Sequence, residues 1–336
     1  MRVASIRARL AITVAAFGGL LVAALLVAPL LGSTSISLAR VFDGRVAFAD
    51  NVDAQIFFVA RLPRVLAAAL VGGALASAGV VFQALFRNPL ASPDTLGVSS
   101  GAAFGAVAAI TFHLDFTFGG LSSIPLASLA GGLGALGIVY ALATARRRGL
   151  STTVLLLAGV TMTAFFSALI MFMQYLADFT DTYRMVRWLM GMLDVGGYAP
   201  IVAALPLLAA AYGIFSTLPR ALDLLSLGAD AASARGVDVL GAERRALVGA
   251  SLATGAAVSI AGPVGFVGII VPHLVRLLVG ADHRLVLPAS VLFGASFLVV
   301  CDLVARTMFS PLEVPVGVVT AIIGGPFFLW LLIRRA

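Results

Sequence analysis

The sequence predicts an all-α polytopic membrane protein of about ten transmembrane helices, read as a single domain over residues 1–336. Three observations carry that prediction. The chain is 61% hydrophobic and only 11% charged, with a mean hydropathy of +1.10, where soluble domains carry about 25% charged residues. Apolar stretches of about 18 residues or more, each long enough to cross a bilayer, recur from end to end. The ~10-residue alternating segments of a membrane β-barrel are missing from the pattern.

The elements follow in order. Arg2, Arg7 and Arg9 precede an apolar run from Leu10 to Leu31. That run is about twice the length of a signal-peptide core and lacks a small-residue cleavage site, so it reads as the first span. Hydropathy then places spans at about 64–86, 95–113, 121–144, 152–176, 199–217, 243–262, 266–280, 285–309 and 314–333. The pair near 243–280 has the softest boundary, because Gly262-Pro263-Val264-Gly265 splits one long apolar run. Gly72, Gly73, Ala76 and Gly79 crowd the second span, and Gly131, Gly132, Gly134 and Gly137 the fourth. Such small faces let membrane helices approach closely. The stretches GGALASAG (72–79) and TGAAVSIAG (254–262) are alike and lie in spans of opposite direction. Their likeness is either an inverted repeat, as in many transporters, or chance in an Ala/Gly-rich chain.

Arginine bias sets direction. With both termini in the cytoplasm, most of the 22 arginines fall inside, including the dense run Arg146-Arg147-Arg148. Arg40, Arg45, Arg61, Arg64, Arg184, Arg187 and Arg306 fall outside. One large polar insertion, residues 218–245, lies on the inner side. It reads as a solvated loop or, fitting its pattern best, as two short helices broken at Gly228 and Gly236. Leu224, Leu225 and Leu227 would form their apolar edge, with Asp230, Arg235 and Asp238 facing water.

Composition excludes several chemistries. The chain contains no lysine, hence no Walker A loop and no lysine Schiff base. The single cysteine, Cys301, allows no internal disulfide or cysteine metal cluster. His113, His273 and His283 fall in different segments; His273, after Pro272, reads as a bundle residue rather than a metal ligand. Gly97-Val98-Ser99-Ser100-Gly101 matches the G-x-S-x-G pattern, but that motif needs a strand before it and a triad around it. A helix start capped by Thr95 or Ser99 fits better. Asp302 and Arg306, four apart on one helix face, are expected to pair. Glu313 reads as a helix-start acid. No carboxylate lies well inside a span, as a coupling-ion site would require. A transporter of this kind needs energy from a partner, and the 218–245 insertion is the place to meet one.

Four long segments, in order, carry a resemblance: RLPRVLAAALVGGALASAGVVFQALFRNPLASPDTLGVSSGAAFG (61–105), LSTTVLLLAGV (150–160), GFVGIIVPHLVRLLVGADHRLVLP (265–288) and EVPVGVVTAIIGGPFFLWLL (313–332). Together they resemble the FecCD/BtuC-type permease subunits of bacterial type II ABC importers, which take up ferric siderophores, haem and vitamin B12. The resemblance implies a BtuC-like fold of ten spans in the bacterial inner membrane, with both termini cytoplasmic. It implies two permease copies around one pathway, here a homodimer, with a substrate-binding protein outside. It also implies two cytoplasmic ATPase subunits, which bind ATP and Mg. The permease would hold no cofactor or metal and catalyse no reaction.

The resemblance also assigns residues. Asn88 and Leu90, in the RNPLA turn, match a cytoplasmic gate, and Thr152 and Thr153 match a second gate at the start of span five. Leu227, Gly228, Asp230, Arg235 and Gly236 fall in the ATPase-coupling segment, where Arg235 replaces the family's usual leucine. Arg61 and Arg306 match arginines that receive acidic residues of the binding protein, with Arg64 ranked lower. An iron chelate is the expected cargo; cobalamin, an ion-coupled secondary carrier and an intramembrane hydrolase are the rival readings.

Overall fold

The computed structural model describes residues 5–118, 121–144 and 152–335. The arginine run 146–148, and Leu150 and Ser151 of the LSTT motif, lie outside the described residues. Ten apolar helices match the ten predicted spans. They are α1 (Ile6–Val27), α4 (Leu62–Leu85), α5 (Val98–Thr111), α6 (Ser123–Thr144), α7 (Thr152–Leu176), α9 (Ala199–Ser216), α12 (Val239–Ala261), α13 (Val267–Val279), α14 (His283–Thr307) and α15 (Val316–Arg335). Six of the described helices are long and apolar enough to cross a membrane. Shorter helices lie between the spans: α2 (Leu38–Val41), α3 (Val52–Gln55), α8 (Phe179–Leu189), α10 (Pro219–Leu225) and α11 (Ala229–Ser233). A two-residue hairpin pairs β1 (Thr117–Phe118) with β2 (Leu121–Ser122).

α4 is the central element. Nearly every residue from Val71 to Leu85 is buried, against α12, α14 and α13. An apolar helix can be covered on all sides only if its neighbours come close, and glycine permits this. A Cβ on Gly72 would fall inside the Gly294 carbonyl of α14, and one on Gly79 inside the Gly268 carbonyl of α13. Gly101 of α5 and Gly131 of α6 exclude each other's Cβ in the same way. By contrast, Gly134 and Gly137 have nothing within 4 Å of a Cβ, so half of the predicted glycine face of α6 makes no helix contact. α1 is apolar and almost wholly exposed, as a lipid-facing helix would be.

Two joints between consecutive spans are irregular. α12 stops at Ala261, and α13 starts only after Gly262 (φ +66°) and Phe266 (φ +67°). α4 stops at Leu85, and α5, only 14 residues long, starts after Gly97 (φ +73°). The stretch between α4 and α5 packs on α13: Pro93 Cδ lies 2.9 Å from where a Cβ on Gly268 would stand.

Because α4 and α14 run antiparallel, the ends of the bundle are defined by residues. One end carries Arg61, Arg306 and α8, and is called the Arg61 face. The other carries the RNPLA turn and the 218–238 insertion, and is called the Asn88 face.

Candidate functional site

The polar stretch after α4 is only partly solvated: Arg87, Pro89 and Asp94 are exposed, while Ala91, Ser92, Pro93 and Leu96 are buried. Pro89 and Pro93 cannot donate to a helix ladder, so side chains and local bonds hold the turn. The Asn88 amide donates to the Gln83 carbonyl (3.1 Å), and Asn88 Oδ1 accepts from the Leu90 amide (2.9 Å). The Ala91 amide then donates to the Asn88 carbonyl (3.1 Å). Gln83 ties this turn to α13: its Nε2 donates to the Gly268 carbonyl (3.0 Å), and its Oε1 accepts from Arg276.

The stretch beyond the turn lies on α7. Gly159 leaves room for the Thr95 carbonyl, and Ser100 Oγ lies 3.4 Å from Thr163 Oγ1. The structure therefore packs the stretch after Asn88 and Leu90, residues 95–100, on the middle of the helix that begins with Thr152 and Thr153. Thr152 opens α7, and the Thr153 side chain is exposed. Neither Thr95 nor Ser99 caps α5. The N-cap is Gly97, and Thr95 Oγ1 instead donates to the Ser92 carbonyl (2.6 Å). A left-handed backbone is the reason, since glycine adopts it without steric cost.

The 218–245 insertion forms two short helices, with Gly228 (φ +115°) and Gly236 (φ +80°) at the breaks. Leu222 and Leu225 are buried, while Leu227 is 64% exposed. Leu227 thus leaves the apolar edge expected of it and faces outward beside Gly228. Asp230 and Arg235 are also exposed. Asp238 caps α12 by accepting from the Gly241 amide (3.1 Å). Asp223 fastens α10 to the rest of the bundle: its Oδ1 lies 2.6 Å from His283 Nδ1 and accepts from the His283 amide (3.0 Å). Beside it, the Arg284 fork holds the Asp282 carboxyl below the usual carboxylate range.

At the Arg61 face the predicted pair becomes a cluster. Asp302 is fully buried, and its nearest charged partner is Arg64 on α4 (2.9 Å); Arg306 lies 3.5 Å away. Glu313 is not merely a helix-start acid, because it pairs with the same Arg64 (2.6 Å). Four residues separate Asp302 from Arg306, while 238 separate it from Arg64, so only the tertiary fold reveals the main bond. Arg61 and Arg306 themselves are buried, at 6% and 4% exposure. Arg61 donates to the carbonyls of Pro29 and Leu30 (3.2 Å each) and to that of Thr34; Arg306 donates to the Ala28 carbonyl. Both hold down the chain that leaves α1, and both line a small cleft at this face with Thr34, Arg64 and Glu313.

A larger cavity, about 450 Å³, opens at the same end. Tyr183, Arg184, Arg187 and Trp188 of α8 line it, with Asp194 3.8 Å from Arg187. Sequence reasoning placed these arginines outside but missed the helix. Its signal was available: Asp178 caps it, and polar and aromatic residues alternate at helical spacing.

The fold defines a class of protein: a multi-pass membrane permease, in which the irregular joint between α4 and α5 packs against α13 and α7. The family is equally plain. The FecCD transport family model matches residues 20–334, and the chain belongs to that family. The chain is 44% identical over 279 residues to the cobalamin import system permease protein BtuC of Halobacterium salinarum, covering 82% of this chain and 72% of that one. It is 39% identical over 283 residues to the hemin transport system permease protein HmuU of Yersinia pestis, covering 84% of each. It also superposes on a solved structure described as an inward-facing conformation of a proposed metal-chelate type ABC transporter. There the TM-score is 0.83 and the identity 34%, over 95% of this chain and 98% of that one.

Proposed function

We propose that this chain is the transmembrane permease subunit of an ATP-binding-cassette importer carrying an iron chelate, a ferric siderophore or haem. It works as a homodimer in the bacterial inner membrane, with both termini cytoplasmic. Two ATPase subunits, holding ATP and Mg, engage the Asn88 face through Leu227, Gly228, Asp230, Arg235 and Gly236. A substrate-binding protein docks on the Arg61 face, where Arg61 and Arg306 act through the segment they hold. Asn88, Leu90, Thr152 and Thr153 gate the inner end of the passage.

One observation carries this reading: a turn fixed by its own hydrogen bonds stands at the same end of the bundle as an exposed two-helix insertion. A fixed turn next to an exposed surface is what a passage driven from outside the chain requires. The hemin relative and the metal-chelate structure support iron chelates. The cobalamin relative favours a second reading, in which the cargo is vitamin B12.

The test is uptake by vesicles containing the chain with its native ATPase and binding protein. Ferric siderophores, haem and cobalamin would be offered in parallel, with and without ATP. ATP-dependent uptake of an iron chelate is the expected result; ATP-dependent uptake of cobalamin alone selects the second reading. Uptake indifferent to ATP and partners would overturn both. Charge reversal at Arg61 and Arg306 together should weaken docking of the binding protein, measured by co-purification.

A further inference from the structure

We propose that Arg87 is a positioning residue: the contact through which the 218–238 insertion sets the Asn88–Leu90 turn. The inference rests on the importer reading for its energy source, but its geometry stands by itself.

Arg87 is the residue between the end of α4 and the turn, and it holds a positive φ of +49°. That region is uncommon for a residue with a Cβ. Its guanidinium reaches the insertion, where Nη1 lies 3.6 Å from the position a Cβ on Gly228 would take. Gly228 is the hinge between α10 and α11. Its missing side chain leaves the space the guanidinium approaches, and its φ of +115° suits glycine alone. Arg87 therefore faces the central hinge of the insertion.

On the other side Arg87 is continuous with a rigid unit. The Arg87 amide donates to the Ala84 carbonyl (3.3 Å), and the bonds of Asn88 to Gln83, Leu90 and Ala91 follow immediately. A displacement of Arg87 therefore moves Leu90 rather than dissipating in a loose loop. The insertion has the complementary property. It is fastened to α14 at Asp223 and His283, while Leu227, beside the hinge, is exposed. A force applied at Leu227 and Gly228 pivots the insertion about Asp223 and reaches the turn through Arg87.

The experiment uses the assembled transporter in proteoliposomes and measures cargo moved per ATP hydrolysed. Arg87→Ala is expected to lower that ratio roughly three- to tenfold, with the ATPase still co-purifying. An unchanged ratio in Arg87→Ala overturns the proposal. A second readout needs no partner: hydrogen exchange on the purified permease. Arg87→Ala should raise exchange at both 88–91 and 226–230; a rise at neither, or at one alone, also overturns it. If no ATPase assembles yet both segments respond, the importer reading fails and the Arg87 link stands.

Discussion

Asp302 shows how much a single residue's meaning depends on its distant neighbours. Its carboxylate is fully buried and lies between Arg64 and Arg306. Removing one partner of a buried pair strands the other charge, at a cost of about 3–5 kcal/mol. Arg64→Met should therefore lower the unfolding midpoint in detergent sharply, and Arg64→Met with Asp302→Leu should recover part of it. Glycine gives a second contrast. Gly79→Ala drives a methyl into the Gly268 carbonyl and should cost about 1–3 kcal/mol. Gly134→Ala meets nothing within 4 Å and should leave the same midpoint unchanged. The two glycines look alike in sequence, and equal effects would contradict the packing described here.

At the scale of the element, α10 and α11 are too short to be stable alone. They persist because Leu222, Leu225 and Ala232 are buried and because Asp223 bonds His283. Asp223→Asn weakens that anchor by about 1.5 kcal/mol. Limited proteolysis between 218 and 238 should accelerate about tenfold, which is the rate equivalent of such a loss when cleavage follows local opening. An unchanged rate would show that apolar burial alone holds the insertion. The ten spans were legible because each is apolar and most are bounded by arginine, proline or glycine, although α5 and α13 are short. α8 was not, because half its residues are polar and it pairs its charges with a cavity wall rather than with a span.

For the whole molecule, the two faces are defined by geometry and their sidedness by arginine bias. Single cysteines in a Cys301→Ser background test it. Leu227→Cys and Leu312→Cys both replace well-exposed side chains at opposite faces. An impermeant maleimide should label Leu312→Cys in right-side-out vesicles and Leu227→Cys only in inverted ones. The reverse pattern would place the insertion, and any ATPase bound to it, on the wrong side for import.

The sequence by itself determined the membrane class, the ten spans, the turn between residues 86 and 97, the interruption near 262–266 and the polar insertion after residue 218. Each of these follows from local hydropathy, from the fixed φ of proline or from the positive φ that glycine permits. The tertiary structure alone decided that Ala91, Ser92, Pro93 and Leu96 are buried, that Arg64 is the nearest partner of Asp302, that Arg61 and Arg306 bond the carbonyls of residues 28–34 and that Arg87 approaches Gly228. These depend on contacts between residues up to 278 positions apart. Helix periodicity carries no information at that range; close packing of glycine-faced helices does.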